Sequence, residues 1–263
     1  MVCIRKKIVC SFLILLSIIC VAVQSAFATV GGPTIHCFAV NHPYLSFTSP
    51  SGTYQENLEA LNTTSWVSSI NSDLNNYGYY SPSYYLNNTA STVRSSMASD
   101  AIFFIYSHSA PGLVNCPYKD ASGNWQISRL TATNNHNYST VYPLSGNVNL
   151  SKTRLAFFCG CESACTDGWD FGNLCDTAVS LGADAALGFT TKVYDPMAGF
   201  FAYRVLAYYG MGGSILSSCI SSSVYDTYNQ YKDIYPDKPD GGVSNYKLVG
   251  DGSIRLYPAA YGN

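Results

Sequence analysis

Three short, continuously apolar runs constrain the fold of this chain more than any other feature. They are AIFFIY at 101–106, RLAFF at 154–158 and AALGF at 185–189. Apolar runs of this length without polar alternation are typical of strands that are covered on both faces. The segments around them have helical spacing or helix caps, and strands that alternate with helices indicate a mostly parallel sheet between two helical layers. The sequence therefore predicts the α/β class, as a three-layer α/β/α sandwich.

The remaining elements follow from the same patterns. A strand is expected at 35–40, and two short strands are expected to close the chain around residues 250–252. Helices are predicted at 56–74 (one helix, or two broken at Thr63-Thr64), 91–98, 171–180, 195–209 and 214–231. Asp195 followed by Pro196 is a good helix start, because the acid caps the first turn and proline fits within it. Residues 109–150 are polar and irregular, which predicts a long insertion over the sheet edge with NWQISRL as a hairpin strand.

The first 28 residues have the pattern of a secretory signal peptide. A basic cluster at 5–7 precedes an apolar core at 8–23, and residues 25–28 end in an A-x-A cleavage pattern. We expect cleavage after Ala28, with an uncleaved membrane anchor as the alternative. Residues 29–263 would then form one secreted or cell-surface domain with no stable membrane insertion.

The charge of the chain argues against one class of partner. It has 14 basic and 16 acidic residues, and three of the basic ones belong to the signal segment. No basic run occurs in the remainder, so nucleic acid is not an expected partner. The composition is poor in charge and rich in Tyr, Ser, Asn and Gly, which is common in exported surface proteins.

The cysteine count suggests one reactive thiol. Export permits disulfides, and an odd number of cysteines after residue 28 leaves at least one unpaired in a monomer. They are Cys37, Cys116, Cys159, Cys161, Cys165, Cys175 and Cys219. We therefore expect up to three disulfides and one thiol that stays reduced. The spacing from 159 to 175 matches no common zinc pattern, so no metal and no cofactor is expected.

The order of histidine and cysteine selects among thiol chemistries. A nucleophilic cysteine needs a nearby base or cation, and histidine is the natural choice. All four histidines after the signal segment precede Cys159 and Cys161. Papain-like enzymes and hydrolase elbows place their histidine after the nucleophile, so those assignments fail although CGCES resembles an elbow. In parallel sheets chemistry sits at the carboxyl ends of strands, and two predicted strands end at His108 and Cys161.

AIFFIYSHSAPGL followed by RLAFFCGCESA resembles the caspase-like (clan CD) cysteine peptidases, closest in motif to CHAT-domain and gingipain-type proteases. In that clan one buried strand delivers a catalytic histidine and the next a catalytic cysteine. The likeness continues through LGADAALGFTTKVYD, FFAYRVLAYYGMGGSI and LVGDGSIRLYP, and covers roughly residues 101–258. It implies a secreted endopeptidase that acts through an acyl-enzyme, with His108 as base, Cys161 as nucleophile and Cys159 as a structural thiol.

The resemblance also implies where substrate binds. Backbone N–H groups of Ser109 and Cys161 are the expected oxyanion donors, although the clan usually has glycine after the histidine, and the Cβ of Ser109 restricts the backbone. Asp195 could receive a basic side chain of a protein or peptide substrate, or it could only cap a helix. Trp169 could line the cleft or pack beneath it. The sequence does not indicate the oligomeric state.

Two other functions fit the pattern. A sortase-like transpeptidase also orders histidine before cysteine in an exported chain. It is disfavoured because no Thr-Cys strand motif is present, and because sortases are β-barrels whereas the C-terminal half here has helical patterns. The second is a catalytically inactive caspase-like surface or binding module, in which the dyad is a relic or is bound in a disulfide. The state of the Cys161 thiol discriminates that alternative from a peptidase.

Overall fold

The computed structural model describes residues 34–77, 81–133, 137–166, 171–210 and 214–255. The helices in these ranges are α1 (Thr64–Asn76), α2 (Ala90–Met97), α3 (Leu174–Ser180), α4 (Met197–Gly210) and α5 (Leu216–Tyr231), with a 3-10 turn at Val243–Asn245. The strands are β1 (Thr34–Ala39), β2 (Asn41–His42), β3 (Leu45–Thr48), β4 (Gln55–Leu58), β5 (Leu61–Asn62), β6 (Ser81–Leu86), β7 (Ile102–Tyr106), β8 (Ser109–Ala110), β9 (Leu113–Lys119), β10 (Trp125–Thr131), β11 (Val141–Pro143), β12 (Leu155–Cys159), β13 (Ala185–Phe189) and β14 (Tyr246–Gly250).

A six-stranded sheet forms the middle layer. Its strand order is β14-β13-β12-β7-β1-β6, and every neighbouring pair is parallel except β13 with β14. The three apolar runs are β7, β12 and β13, and every residue of these strands is buried. Burial on both faces is what a continuous apolar strand requires. The predicted α/β fold class is confirmed.

Each face of the sheet has its own hydrophobic core. Phe104 and Phe157 pack with α1, α4 and α5 on one face. Phe103 and Phe158 pack with α2 and α3 on the other. Successive side chains on a strand point to opposite faces, so the two Phe-Phe pairs divide between the cores. Two separate layers of apolar side chains thus clamp the strands whose ends carry the candidate site.

The insertion at 109–150 is a small sheet of its own. Strands β8 to β11 form it in the order β11-β10-β9-β8, with β9 and β10 antiparallel. The expected hairpin strand in this region is confirmed as β10. Val114 and Leu130 belong to the same buried cluster as Phe103 and Ile105. The insertion therefore covers a face of the main sheet beside α2, and its expected position over the edge is wrong.

The predicted helix at 56–74 is wrong in its first half. Helix α1 begins at Thr64, at the break considered from the sequence, and the preceding residues form two short strands. Strand β4 pairs with β3, and β5 pairs with β2. Pairing with partners elsewhere in the chain decides the structure here, because QENL has too few apolar residues to bury a helical face.

The edges of the main sheet also differ from expectation. Strand β6 pairs with β1 in parallel and has no clear apolar signal in its sequence, SPSYYL. At the other edge, β14 pairs with β13 rather than forming a closing hairpin. Residues 254–255 are not in a strand, and the chain beyond them lies outside the described residues.

The expected disulfides are absent from the described chain, which includes all seven cysteines that follow the signal segment. Cys37 and Cys219 lie in the core with α1, whereas Cys116 and Cys175 lie in the core with α2. The sheet separates the two groups, and cysteines can be bridged only when their Cα atoms are within about 7 Å.

No helix within the described ranges is long and apolar enough to cross a membrane. The predicted signal segment at 1–28 lies outside those ranges.

Candidate active site

The candidate base and nucleophile follow the ends of two neighbouring parallel strands. Tyr106, the last residue of β7, is the register partner of Cys159, the last residue of β12. His108 and Cys161 each come two residues later. Neighbouring strands lie about 4.7–4.9 Å apart, so this register brings the two backbone segments to the same carboxyl edge of the sheet.

Hydrogen bonds join the two strands beyond their last paired residues. The N–H of Ser107 donates to the carbonyl of Cys159 at 3.2 Å, and the hydroxyl of Ser109 donates to the carbonyl of Cys161 at 2.5 Å. Between the two cysteines, a side chain at Gly160 would collide with the Ser107 carbonyl and the Ser109 hydroxyl. Glycine in CGC is therefore required by the close approach of the two segments.

The imidazole of His108 has a defined hydrogen-bond partner. Its Nε2 lies 2.8 Å from the backbone carbonyl of Glu59. A carbonyl only accepts, so Nε2 carries the proton and Nδ1 of the neutral ring is an acceptor. Burial lowers the pKa of His108 from its ordinary value of 6.5, although the bond to Glu59 acts in the opposite direction. The neutral ring that can accept a proton is thereby favoured.

Glu59 lies in the short turn between β4 and β5, and Thr63 ties this region to the sheet. The Thr63 hydroxyl accepts from the N–H of Val40 at 2.9 Å and lies 3.2 Å from the carbonyl of Tyr106. The turn is thus anchored to the strand that carries His108. The role of Glu59 has no sequence signal, because any residue supplies a backbone carbonyl.

A second histidine packs against the first. The rings of His42 and His108 have centroids 5.4 Å apart, and His42 is 3% exposed. Nδ1 of His42 donates to the Pro43 carbonyl at 2.8 Å. Burial lowers the pKa of His42, and the neighbouring His108 lowers it further. The neutral form of His42 is thereby favoured, and its ring packs against that of His108. Sequence reasoning missed it because its ring has no motif of its own.

The thiol of Cys161 is partly exposed and contacts the segment after β13. Its Sγ lies 3.5 Å from the carbonyl of Val193, and the N–H of Val193 donates to the same sulphur at 3.4 Å. An N–H donor at sulphur stabilises negative charge there once the proton has left.

The turn after Cys161 is sharp. Glu162 has a φ of +56°, in the left-handed region that non-glycine residues seldom adopt. The hydroxyl of Ser163 donates to Phe158 at 2.7 Å, and the N–H of Ala164 donates to Phe189 at 2.9 Å. These bonds fix the turn on β12 and β13, so the uncommon conformation presents Cys161 at the strand end.

Cys159 has the opposite environment. It is 1% exposed, and its Sγ donates to the carbonyl of Ala198 at 3.7 Å. Burial raises the pKa of this thiol well above its ordinary value, with smaller contributions from Asp195 and Cys161. A buried thiol that keeps its proton packs as a small apolar group and is a poor nucleophile.

Of the two candidate pocket residues, Asp195 lies within the described part of the chain. Asp195 is exposed, and its Oδ1 accepts a hydrogen bond of 2.6 Å from the hydroxyl of the buried Tyr106. Helix α4 begins two residues later, at Met197. Asp195 is thereby linked to the strand that carries His108. Trp169 lies outside the described residues.

No group of three or more His, Cys, Asp or Glu side chains in the described part of the chain is arranged to hold a metal ion. The groups gathered at the strand ends are an imidazole, a thiol, a carboxylate and backbone N–H donors.

Solved structures of known proteins share this architecture. Gingipain R (RgpB), described as an Arg-specific cysteine proteinase, matches with a TM-score of 0.56 at 10% identity, over 85% of this chain and 47% of that chain. A complex of the pro- and mature domains of RgpB from Porphyromonas gingivalis matches with a TM-score of 0.50 at 9% identity, over 88% and 52%. The fold is caspase-like. The chain spans about half the length of each structure, and at these identities the likeness concerns the fold alone. The sequence matches no protein-family profile and no curated protein.

Proposed function

We propose that this chain is a cysteine endopeptidase in which His108 and Cys161 form the catalytic dyad. The strand register supports the proposal, because the segments that bear the imidazole and the thiol follow paired residues at the same edge of the sheet, and Nδ1 of the neutral imidazole is an acceptor. Two fold neighbours described as cysteine proteinases, or as their domains, support it. The sortase-like alternative loses support, since the chain is a three-layer sandwich and not a barrel.

In the proposed reaction, Nδ1 of His108 takes the proton from Cys161 Sγ, and the N–H of Val193 stabilises the thiolate. The sulphur attacks the substrate carbonyl carbon, and the backbone N–H groups of Ser109 and Cys161 donate to the resulting oxyanion. The imidazolium then protonates the leaving amine as the C–N bond breaks, which leaves an acyl-enzyme. Water, deprotonated by His108, attacks the thioester and releases Cys161.

The substrate is a polypeptide, and the proposed setting is outside the cell after removal of residues 1–28. Asp195 is proposed to receive a basic side chain next to the cleaved bond. Its exposure and its link to Tyr106 support this role, because a fixed carboxylate pairs with a cation at little further entropy cost. The Arg-specific gingipain R has the same fold, which makes Arg the first residue to test.

The decisive experiment compares two neighbouring thiols in peptide cleavage. The secreted protein is given a fluorogenic peptide library with Arg, Lys, Ala or Asp before the cleaved bond. Cys161→Ala should lower turnover by about 10⁴-fold or more, because the nucleophile is lost. Cys159→Ala is the matched control and should retain turnover. Full activity of Cys161→Ala would refute the mechanism.

Alkylation tests the inactive-module alternative on the same pair. Brief iodoacetamide treatment of the native protein, followed by peptide mapping, should label Cys161 before Cys159 and inactivate the enzyme in step. A partly exposed thiol beside an imidazole reacts faster than a fully buried one. A disulfide at Cys161 in the secreted protein would favour the binding module instead.

A further inference from the structure

A cavity of about 480 Å³ opens between the β3–β4 hairpin and the insertion sheet. Its walls include the aromatic rings of Phe47 and Trp125, with Ile127 and Arg129 beside them and residues 137–140 at one side. Sites that hold small ligands or side chains usually have volumes of about 300–1,000 Å³. We call this space the side cavity. No step of the reaction above uses it.

A row of rings connects the side cavity to the candidate active site. His108 packs against His42 with centroids 5.4 Å apart, and His42 packs edge-on against Trp125 with centroids 6.2 Å apart. An extended polypeptide advances about 3.3–3.6 Å per residue. The two centroid distances limit the separation of His108 and Trp125 to about 12 Å, so a substrate with its cleaved bond at His108 reaches Trp125 with a residue at most three or four positions away.

The charge in the side cavity is already neutralised. The Arg129 side chain is 4% exposed, and its Nη2 lies 2.7 Å from Oε2 of Glu56. Its guanidinium lies over the Phe47 ring, 5.2 Å from the centroid. A charged substrate group would compete with the partner that each ion already has, and a buried charge without a partner is costly. The side cavity is therefore a poor site for Asp, Glu, Lys or Arg.

The remaining surface suits an aromatic side chain. Phe47 and Trp125 line the cavity, with Arg129 over the ring of the first and Lys119 over the ring of the second. Aromatic pairs also form edge to face, and they gain free energy beyond simple burial of area. Ser139 and Thr140 also line the cavity, and a hydroxyl side chain can hydrogen-bond a phenolic hydroxyl.

We propose that the side cavity binds an aromatic side chain, Tyr above all, of the polypeptide substrate, three or four residues from the cleaved bond. The proposal rests on the peptidase function, since the site defines its position along the substrate. It assigns the β3–β4 hairpin and the insertion a recognition role.

The test scans matched peptides with Tyr, Phe, Leu, Ala, Lys or Asp at the third and fourth positions on either side of the cleaved bond. Wild type should cleave the best Tyr peptide with a kcat/KM about tenfold above its Ala counterpart. Trp125→Ala and Phe47→Ala, on two walls of the cavity, should each lower this Tyr-to-Ala ratio towards one. Tyr225→Ala, which removes an exposed ring on α5, is the control and should leave the ratio unchanged.

Circular dichroism and melting temperature establish that each variant is folded, and Trp125→Phe should keep most of the preference if Trp125→Ala does not fold. Equal kcat/KM for the Tyr and Ala peptides in wild type would overturn the proposal. So would an undiminished ratio in both cavity variants.

Binding separates this proposal from the peptidase proposal. Fluorescence anisotropy of labelled Tyr and Ala peptides is measured with Cys161→Ala protein, which binds without cleaving. Tighter binding of the Tyr peptide, abolished by Trp125→Ala, supports the side cavity even if wild type cleaves nothing, an outcome that refutes only the peptidase. Cleavage without aromatic preference refutes only the side cavity.

Discussion

Two histidines at different places in the sheet have opposite kinds of partner. His36 lies within β1, and its Nδ1 donates to a carboxylate oxygen of the buried Asp100. His108 lies beyond the end of β7, and its Nε2 donates to the backbone carbonyl of Glu59. One partner can ionise and the other cannot.

The two histidines therefore contribute to different properties, His36 to the stability of the fold and His108 to the proposed chemistry. Burial raises the pKa of Asp100 to about 6, with the hydrogen bond from His36 acting against it. The ionisation of Asp100 therefore enters the stability of the fold. The Glu59 carbonyl fixes the tautomer of His108 without adding charge, so Nδ1 remains available to take a proton. The positions of the two histidines agree with these roles. His36 lies within a strand, whereas His108 lies at the carboxyl end of one, and the carboxyl ends of parallel strands are open to ligands.

The largest expected effect comes from removing each ring in turn. His108→Ala should lower turnover by about 10³-fold with little change in melting temperature, because a general base is lost. His36→Ala should keep turnover and lose about 2 kcal/mol of unfolding free energy, since Asp100 stays buried without its donor. Turnover assays measure the loss of activity, and urea denaturation measures the loss of unfolding free energy. Equal loss of activity in both variants would contradict the division.

The strands that form continuous apolar runs could be predicted from the sequence alone. Strands β7, β12 and β13 are continuous in hydrophobicity, so their burial and order along the chain were predicted together with the residues at their ends. Its position just after a predicted strand selected His108 over the other histidines, because all four of them precede the two cysteines.

Long-range contacts account for what was missed. Glu59 acts through its backbone, His42 through packing of its ring, and Asp100 through burial beside a strand that is remote in sequence. None of these leaves a periodic or motif signal in its own neighbourhood. The wrong first half of the helix at 56–74 has the same origin, because β4 and β5 exist only through pairing with β3 and β2.

A smaller effect concerns the pH dependence of stability. Asp100 has its pKa raised from 3.8 to about 6 in the fold, so the folded chain holds this proton more tightly than the unfolded chain. Its contribution is therefore full below about pH 4 and is lost as the pH rises through about 6, by about 3 kcal/mol. Asp100→Asn should remove this decline from denaturation curves taken between pH 4 and 7. Parallel curves for the two proteins would show that Asp100 does not titrate in this range.

The smallest expected effect lies at the hydroxyl that joins the segments following β7 and β12. Ser109 stands where the peptidases that the sequence resembles usually have glycine, yet it lies in strand β8 and does not adopt the left-handed backbone that glycine favours. Its hydroxyl instead donates to the carbonyl of Cys161. Ser109→Ala should lower kcat/KM by about three- to tenfold, since one neutral hydrogen bond contributes about 1 kcal/mol.

Ser109→Gly distinguishes the two possible effects of this residue. If the hydroxyl positions Cys161, glycine lowers kcat/KM at least as much as alanine does, because both variants lack the donor and glycine also frees the backbone. If the Cβ instead obstructs the oxyanion donors, glycine raises kcat/KM above wild type. Ser96→Ala is the control, since that hydroxyl donates to a helix carbonyl in α2 and is exposed. We expect the first result, because the bond from Ser109 to Cys161 joins the segment of the proposed base to the proposed nucleophile.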